Sequence, residues 1–313
     1  MDTERRERLK RMLENGEISR EMYDEILMRW DQSGPEEKQN EQDENSKESR
    51  TVRSERIHVS GAGKFSSIYS TDVSVSGLLT VENDLDSDRI HVSGKCSVKK
   101  NLICSGFLES SGSLSVEGDM MADQVDSSGS IRVKGSIKAG SVEVSGVITA
   151  RSLKCTDAEI SGGARIEGDI ESDSIDSSGF LEGQSVNCRT LKSSGSLKSD
   201  EIRCDEAFIL GKIESKIVRT RRFSMEIYNT NSSVGELYTD VVEIEARRRR
   251  FLKGEARIDR IVCKKALLEF TTAKYVSGDE VFIGDGCKID YVEAKSMKIS
   301  EKARVLEKKI ITD

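Results

Sequence analysis

Proline is nearly missing from this chain of 313 residues: Pro35 is the only one, and none follows from Glu36 to Asp313. Average usage is roughly 5%, so the gap points to backbone whose N–H groups are all committed to neighbours, as in a stacked parallel ladder. Aromatic residues are 5% and hydrophobic residues 35% of the chain, thin for a single large globular core. A solenoid tolerates that composition, because it grows by adding turns around a narrow interior column. Two histidines, His58 and His91, leave histidine chemistry little to work with. No stretch approaches the ~20 apolar residues that a membrane span requires. Met1 to Arg11 is charged and has no apolar h-region, so no secretory signal is expected. The seven cysteines are odd in number and contain no CxxC pair; a reduced, cytoplasmic setting is the expectation.

What is present is a returning glycine. Gly61, Gly77, Gly94, Gly112, Gly129, Gly146, Gly162, Gly179 and Gly195 each follow a serine, and Gly211 continues the phase, at spacings of 16 to 18 residues. Apolar residues flank each glycine at even offsets, as in Ile57/Val59, Val73/Val75, Leu114/Val116 and Ala164/Ile166. Period-two alternation marks strands with one buried face. Repeated at this interval, it predicts an all-β fold, a parallel β-helix in which each turn stacks on the last. At about 17 residues per turn and ~4.8 Å rise, residues 55–313 would make roughly 15 turns.

Organisation follows composition. Residues 1–30 predict a helical hairpin: Leu9, Met12 and Leu13 stripe a first helix that stops at Asn15-Gly16, and Ser19 caps a second. Ile18 and Tyr23 form a staple across that cap, and Met22, Tyr23, Ile26, Leu27 and Trp30 give the second helix an apolar face. Residues 31–54 are polar and acidic with almost nothing to bury, which predicts a flexible tether. The solenoid divides into regular Ser-Gly repeats over 55–211 and divergent repeats with a terminal cap over 212–313.

Two resemblances carry names. The run from Arg8 through Asn15-Gly16, Ile18-Ser19 and on to Trp30 resembles the SHOCT-like helical hairpin, a module that implies oligomerisation or partner contacts. The pattern around Gly112–Met120 and Gly162–Ile170, Gly-x-Leu/Ala-x-Val/Ile-x-Gly-Asp-Met/Ile, looks like the bactofilin family of polymer-forming cytoskeletal proteins. The tail from Thr271 through Gly284-Asp285-Gly286 to Asp290 is similar to the ending of long bactofilin-like proteins. The resemblance implies a right-handed, three-sided β-helix of the prokaryotic cytoplasm that assembles end to end without nucleotide. This chain differs from the family in its longer solenoid and its helical hairpin.

Chemistry is sparse. His58 and His91 each stand three residues before a repeat glycine and are expected to face solvent. Cys155, Cys188 and Cys204 alternate into the column and read as small buried hydrophobes; a disulfide between Cys188 and Cys204, one strand spacing apart, stays open. Gly284-Asp285-Gly286 reads as a turn, not a calcium array. Asp119 and Asp169 read as turn residues beside glycines of positive φ, bonding their own backbone. No nucleophile–base pair and no metal constellation can be assembled, so neither catalysis nor a cofactor is expected.

One charge anomaly stands out. Residues 212–265 hold 14 Lys/Arg against 8 Asp/Glu, in a chain whose net charge is −7. Arg219, Arg221 and Arg222 are followed by Arg247, Arg248, Arg249 and Arg250. They read either as a contact for anionic lipid, nucleic acid or an acidic partner, or as a solvated loop pairing with acidic segments. Two functions follow from these features. The first is a self-assembling scaffold joined through Ile57, Val59 and Phe65 at one end and Val305, Leu306 and Ile310 at the other. The second is a binding module that presents its basic region to a membrane or nucleic acid and its hairpin to a protein partner. Neither takes a small-molecule substrate.

Overall fold

The computed structural model describes residues 2–14, 20, 23, 27, 50–228, 230–246 and 254–311. These group into two compact units, Met1–Val142 and Glu143–Asp313. Both are parallel β-solenoids, and strand makes up 72% of the structure, so the fold is all-β.

In the first unit, strands such as Val52–Val59, Ile68–Val75, Leu85–Val92, Leu102–Ser110 and Met120–Ser127 stack in parallel register. Val59, Val75, Val92, Ser110 and Ser127 fall on one line. The one spacing of 18 residues, Gly94 to Gly112, is absorbed as a bulge: the register shifts between Cys104 and Phe107 and then resumes.

The second unit keeps its register where the Ser-Gly marker is lost. Ile160, Ser177, Ser193, Ile209, Met225, Ile244, Leu268, Ile283 and Ile299 form one column. Alternation alone maintains the fold there, because each strand still buries every second side chain.

The repeat glycines are required by close approach. A Cβ built on Gly77, Gly94, Gly112, Gly129, Gly162, Gly179, Gly195 or Gly211 would lie 1.8–2.1 Å from the carbonyl oxygen of the glycine one turn earlier. The only described glycine with positive φ is Gly286, at 73°, in the turn that the sequence predicted at Gly284-Asp285-Gly286.

The expectation for Asp119 and Asp169 is corrected. Gly118 and Gly168 lack positive φ, and Asp169 belongs to strand Asp169–Ser177. Asp119 bonds forward to the next turn, accepting from the Ser136 N–H at 2.7 Å, while its own N–H donates to Asn101 Oδ1 at 3.0 Å. Asn101 N–H in turn reaches Asp84 Oδ1 at 3.1 Å. At this corner the neighbouring turn lies nearer than the residue's own backbone, so Asn and Asp side chains clip turn to turn.

The interior is mostly apolar and holds two sets of buried serines: Ser70, Ser87, Ser172 and Ser199 each donate to the carbonyl two residues on, and a second set does not. Ser110, Ser127, Ser177 and Ser193 are buried, and their hydroxyls have no hydrogen-bond partner in the protein. Val92 precedes the first pair in register, and Ile160 and Ile209 bracket the second. A buried unpaired hydroxyl costs about 1–3 kcal/mol. Ser193→Ala is therefore expected to raise stability by about 1 kcal/mol in urea denaturation; a loss would mean that the hydroxyl is satisfied by water.

An α-helix covers Asp2–Glu14; Asn15-Gly16, where it was expected to stop, lies outside the described residues. Of the second helix, Arg20, Tyr23 and Leu27 are described, and all three are helical. Ser19, Met22, Ile26 and Trp30, like residues 31–49 of the tether, lie outside the described residues. Leu9, 5% exposed, packs on Met121 together with Leu13, Tyr23, Leu27 and Ile103. No described helix is long and apolar enough to cross a membrane.

Candidate functional site

Two edges end the described ladders. Strands Val52–Val59 and Ala62–Phe65 pair with the following turn only. There Val59 is buried while Ile57 and Phe65 are half-buried, so the column ends partly open. The Phe65 ring lies 3.1 Å from where a Gly63 Cβ would sit and so leans across that first turn. Gly61 has nothing within 4 Å of its would-be Cβ, because no turn precedes it among the described residues.

At the other edge, strand Arg304–Ile310 pairs with Lys288–Ile299 only. Val305 continues the line of Ile289, and Ile310 that of Ala294; Val305 is half-buried and Ile310 is 56% exposed. Leu306, 59% exposed, sits between them in register with the solvent-facing side of the preceding strand, beside Asp290. Sequence reasoning missed three members of this edge. Met297 and Ile299 end their columns half-buried, and Lys308 stands in register with the fully buried Val292. A lysine at a core register position on an edge strand disfavours unlimited pairing. Its signal in the sequence was the break in alternation after Val305.

The described part of the basic region is partly paired within its own unit. Lys216 Nζ lies 2.9 Å from Asp200 Oδ2, and Arg221 Nε lies 3.2 Å from Asp205 Oδ1. Arg219 stacks 4.6 Å over the Tyr238 ring and places Nε 3.5 Å from Glu201 Oε1, which Arg203 also reaches. Arg222 is exposed. Arg247, Arg248, Arg249 and Arg250 lie outside the described residues. Exposed pairs of this kind are each worth about 0–1 kcal/mol, so a dense anionic ligand can displace the carboxylates.

The histidines face outward as expected, but His91 is paired. Its Nδ1 lies 3.0 Å from Glu109 Oε2 and its Nε2 lies 2.7 Å from Ser93 Oγ. This serine–histidine–carboxylate connectivity differs from the expectation that no nucleophile–base pair can be assembled. It arises because His91 and Glu109 are register partners on adjacent turns. The backbone N–H groups of Ser93, Gly94 and Lys95 are spent on the carbonyls of Val75 and Gly77. An oxyanion at Ser93 therefore finds no local amide donor of the kind such chemistry uses.

Cysteines occupy corner and core positions. Burial pushes Cys96 and Cys104 up to about 12, well away from thiolate reactivity at neutral pH. Cys155, buried as expected, donates to Ser172 Oγ at 3.6 Å. Cys188 and Cys204 are half-buried free thiols in hydrogen-bond contact, which together with burial raises Cys188. Among the described residues no group of three or more His, Cys, Asp or Glu is placed to hold a metal ion.

These features define the class: an all-β parallel β-solenoid with open terminal strands and a laterally docked helical segment. No protein family, curated protein or solved structure matches the chain.

Proposed function

We propose that this protein is a structural, nucleotide-independent scaffold of bactofilin-like kind that self-associates through the ends of its β-solenoid in the cytoplasm. The observation that carries this reading is the pair of one-sided terminal strands, whose columns end in half-exposed Ile57, Phe65, Met297, Ile299 and Val305. Unpaired parallel strands with apolar column ends are a template for another copy. The resemblance around Gly112–Met120 and Gly162–Ile170 supports the same conclusion. The role is architectural, without catalysis or a cofactor. Turn-to-turn ion pairing of Lys216, Arg219 and Arg221 favours a structural role for those residues over a dedicated membrane or nucleic-acid contact.

Negative-stain electron microscopy of purified protein, with no nucleotide and at low and physiological salt, tests the proposal. Filaments a few nanometres wide are expected. Phe65→Glu should dissolve them into single copies of unchanged strand content, because it sets a charge at a column end. Lys308→Val should lengthen them, because it removes the edge lysine. Discrete particles for the wild type and Lys308→Val alike would overturn the reading.

A further inference from the structure

The outward positions of Met121 and Ile103 are anomalous. Strand Met120–Ser127 begins with three consecutive buried residues, Met120, Met121 and Ala122. Met120 and Ala122 occupy the interior, so Met121 faces out, yet it is only 2% exposed. Its register partner one turn earlier is Ile103, also outward between the buried Leu102 and Cys104. On the far side of Ile103 the same line continues to Asp86 and Tyr69. Ile103 and Met121 thus form an apolar pair that gives way to Asp86 one turn earlier.

The helical segment covers that pair. Leu9 and Leu13 stand one helical turn apart, as do Tyr23 and Leu27, and all four belong with Met121 and Ile103 to one packed apolar cluster built on Leu9 and Met121. Side chains at i and i+4 share a helix face, so each helix contributes one apolar ridge. Helices this short are marginal alone in water, and they gain order where the solenoid offers them an apolar surface. Of the four, only Leu9 is fully buried, at 5% exposure; Leu13, Tyr23 and Leu27 keep part of their surface in solvent.

We infer that Ile103 and Met121 form a receptor site for this helical arm, occupied within one chain and able to take the arm of a second copy. Leu27 and Arg50 are separated by 22 residues, a length of chain that can reach at most about 75 Å. That reach lets an arm leave its own solenoid while staying tethered at high effective concentration to any copy alongside. The occupant is set by the chain itself: the two ridges and the two-residue patch are complementary, and a second copy supplies the same ridges. Such an exchange ties solenoids side to side and is independent of stacking at their ends.

Complementary full-length variants test this. Leu9→Glu/Leu13→Glu breaks the arm and leaves the patch free; Ile103→Glu/Met121→Glu breaks the patch and leaves the arm free. One variant carries an affinity tag, and capture is measured for the mixed pairing, for each variant with itself, and for wild type with itself. The mixed pairing is expected to capture about tenfold more than any like pairing, since only there do a free arm and a free patch meet. End stacking contributes equally to every pairing, so its success or failure is read separately from the common background. Equal capture in all pairings, with circular dichroism showing intact strand content, overturns the inference. The milder Ile103→Ser/Met121→Ser variant serves in the same way if the glutamates disturb the fold, because both positions lie on the outer side.

Discussion

Replacing Gly179 by alanine is expected to destabilise the second unit by on the order of 3 kcal/mol or more, while the same change at Gly61 leaves the fold intact. The chemistry of the two substitutions is identical, and the neighbouring turn decides the difference. A Cβ on Gly179 would lie 1.8 Å from the Gly162 carbonyl oxygen and 2.8 Å from its carbon. Both are backbone atoms held by the ladder, since the N–H groups of Ser178 and Gly179 donate to Ile160 O and that of Phe180 donates to Gly162 O. No side chain can swing away to make room, so the turns must separate. Gly61 has open space at the equivalent point and lacks positive φ, so Gly61→Ala should gain about 0.4–1 kcal/mol through the unfolded chain. Urea denaturation of both variants measures the contrast. Gly61→Ala carries a second consequence for assembly. Any copy that stacked on this edge in the register of the repeats would bring a carbonyl to the space the new methyl fills. A well-folded Gly61→Ala protein that no longer forms filaments is the expected result. Undiminished filaments would place the contact elsewhere on the surface.

Phe223→Ala is expected to cost about 3–5 kcal/mol. Phe223 is the largest fully buried side chain among the described residues, with 0% exposure. Its register partners are Ala207 on one turn and Val242 on the next. The ring therefore fills space that a small neighbour leaves, and truncation opens a cavity that stiff parallel strands collapse poorly. Restoring volume from the adjacent turn, with Ala207→Leu in the Phe223→Ala background, should recover part of the loss. The loss and recovery are read from the same denaturation curves. A cost below 1 kcal/mol for Phe223→Ala would mean that the column there is loosely packed.

Much of this architecture was written in period and absence. The Ser-Gly interval located the turns, the alternation around it assigned the buried face, and the missing proline agreed with a fully used ladder. The alternation also carried the fold past Gly211, where Met225, Ile244, Leu268 and Ile283 hold their column without the glycine marker.

Whatever depended on a neighbour one turn away was not legible. The reason for repeat glycines such as Gly77 and Gly179 is a carbonyl about 17 residues earlier, and not the φ freedom that glycine usually signals. Asp119 bonds Ser136 on the next turn instead of its own backbone, and His91 finds Glu109 for the same reason. Of the arginines in the basic region, Arg219 and Arg221 meet Glu201 and Asp205 on preceding turns. Leu306 was grouped with the end column by its hydrophobicity, but strand register places it on the outer side and puts Lys308 in line with Val292. The double apolar steps Leu102-Ile103 and Met120-Met121 were visible as breaks in alternation, but their meaning required the helix that covers them. Periodicity along one strand determines which face is buried, because side chains alternate by geometry alone. Which residues meet across turns is decided only when stacking brings positions one turn apart, 15 to 24 residues along the chain, within one strand spacing, about 4.8 Å.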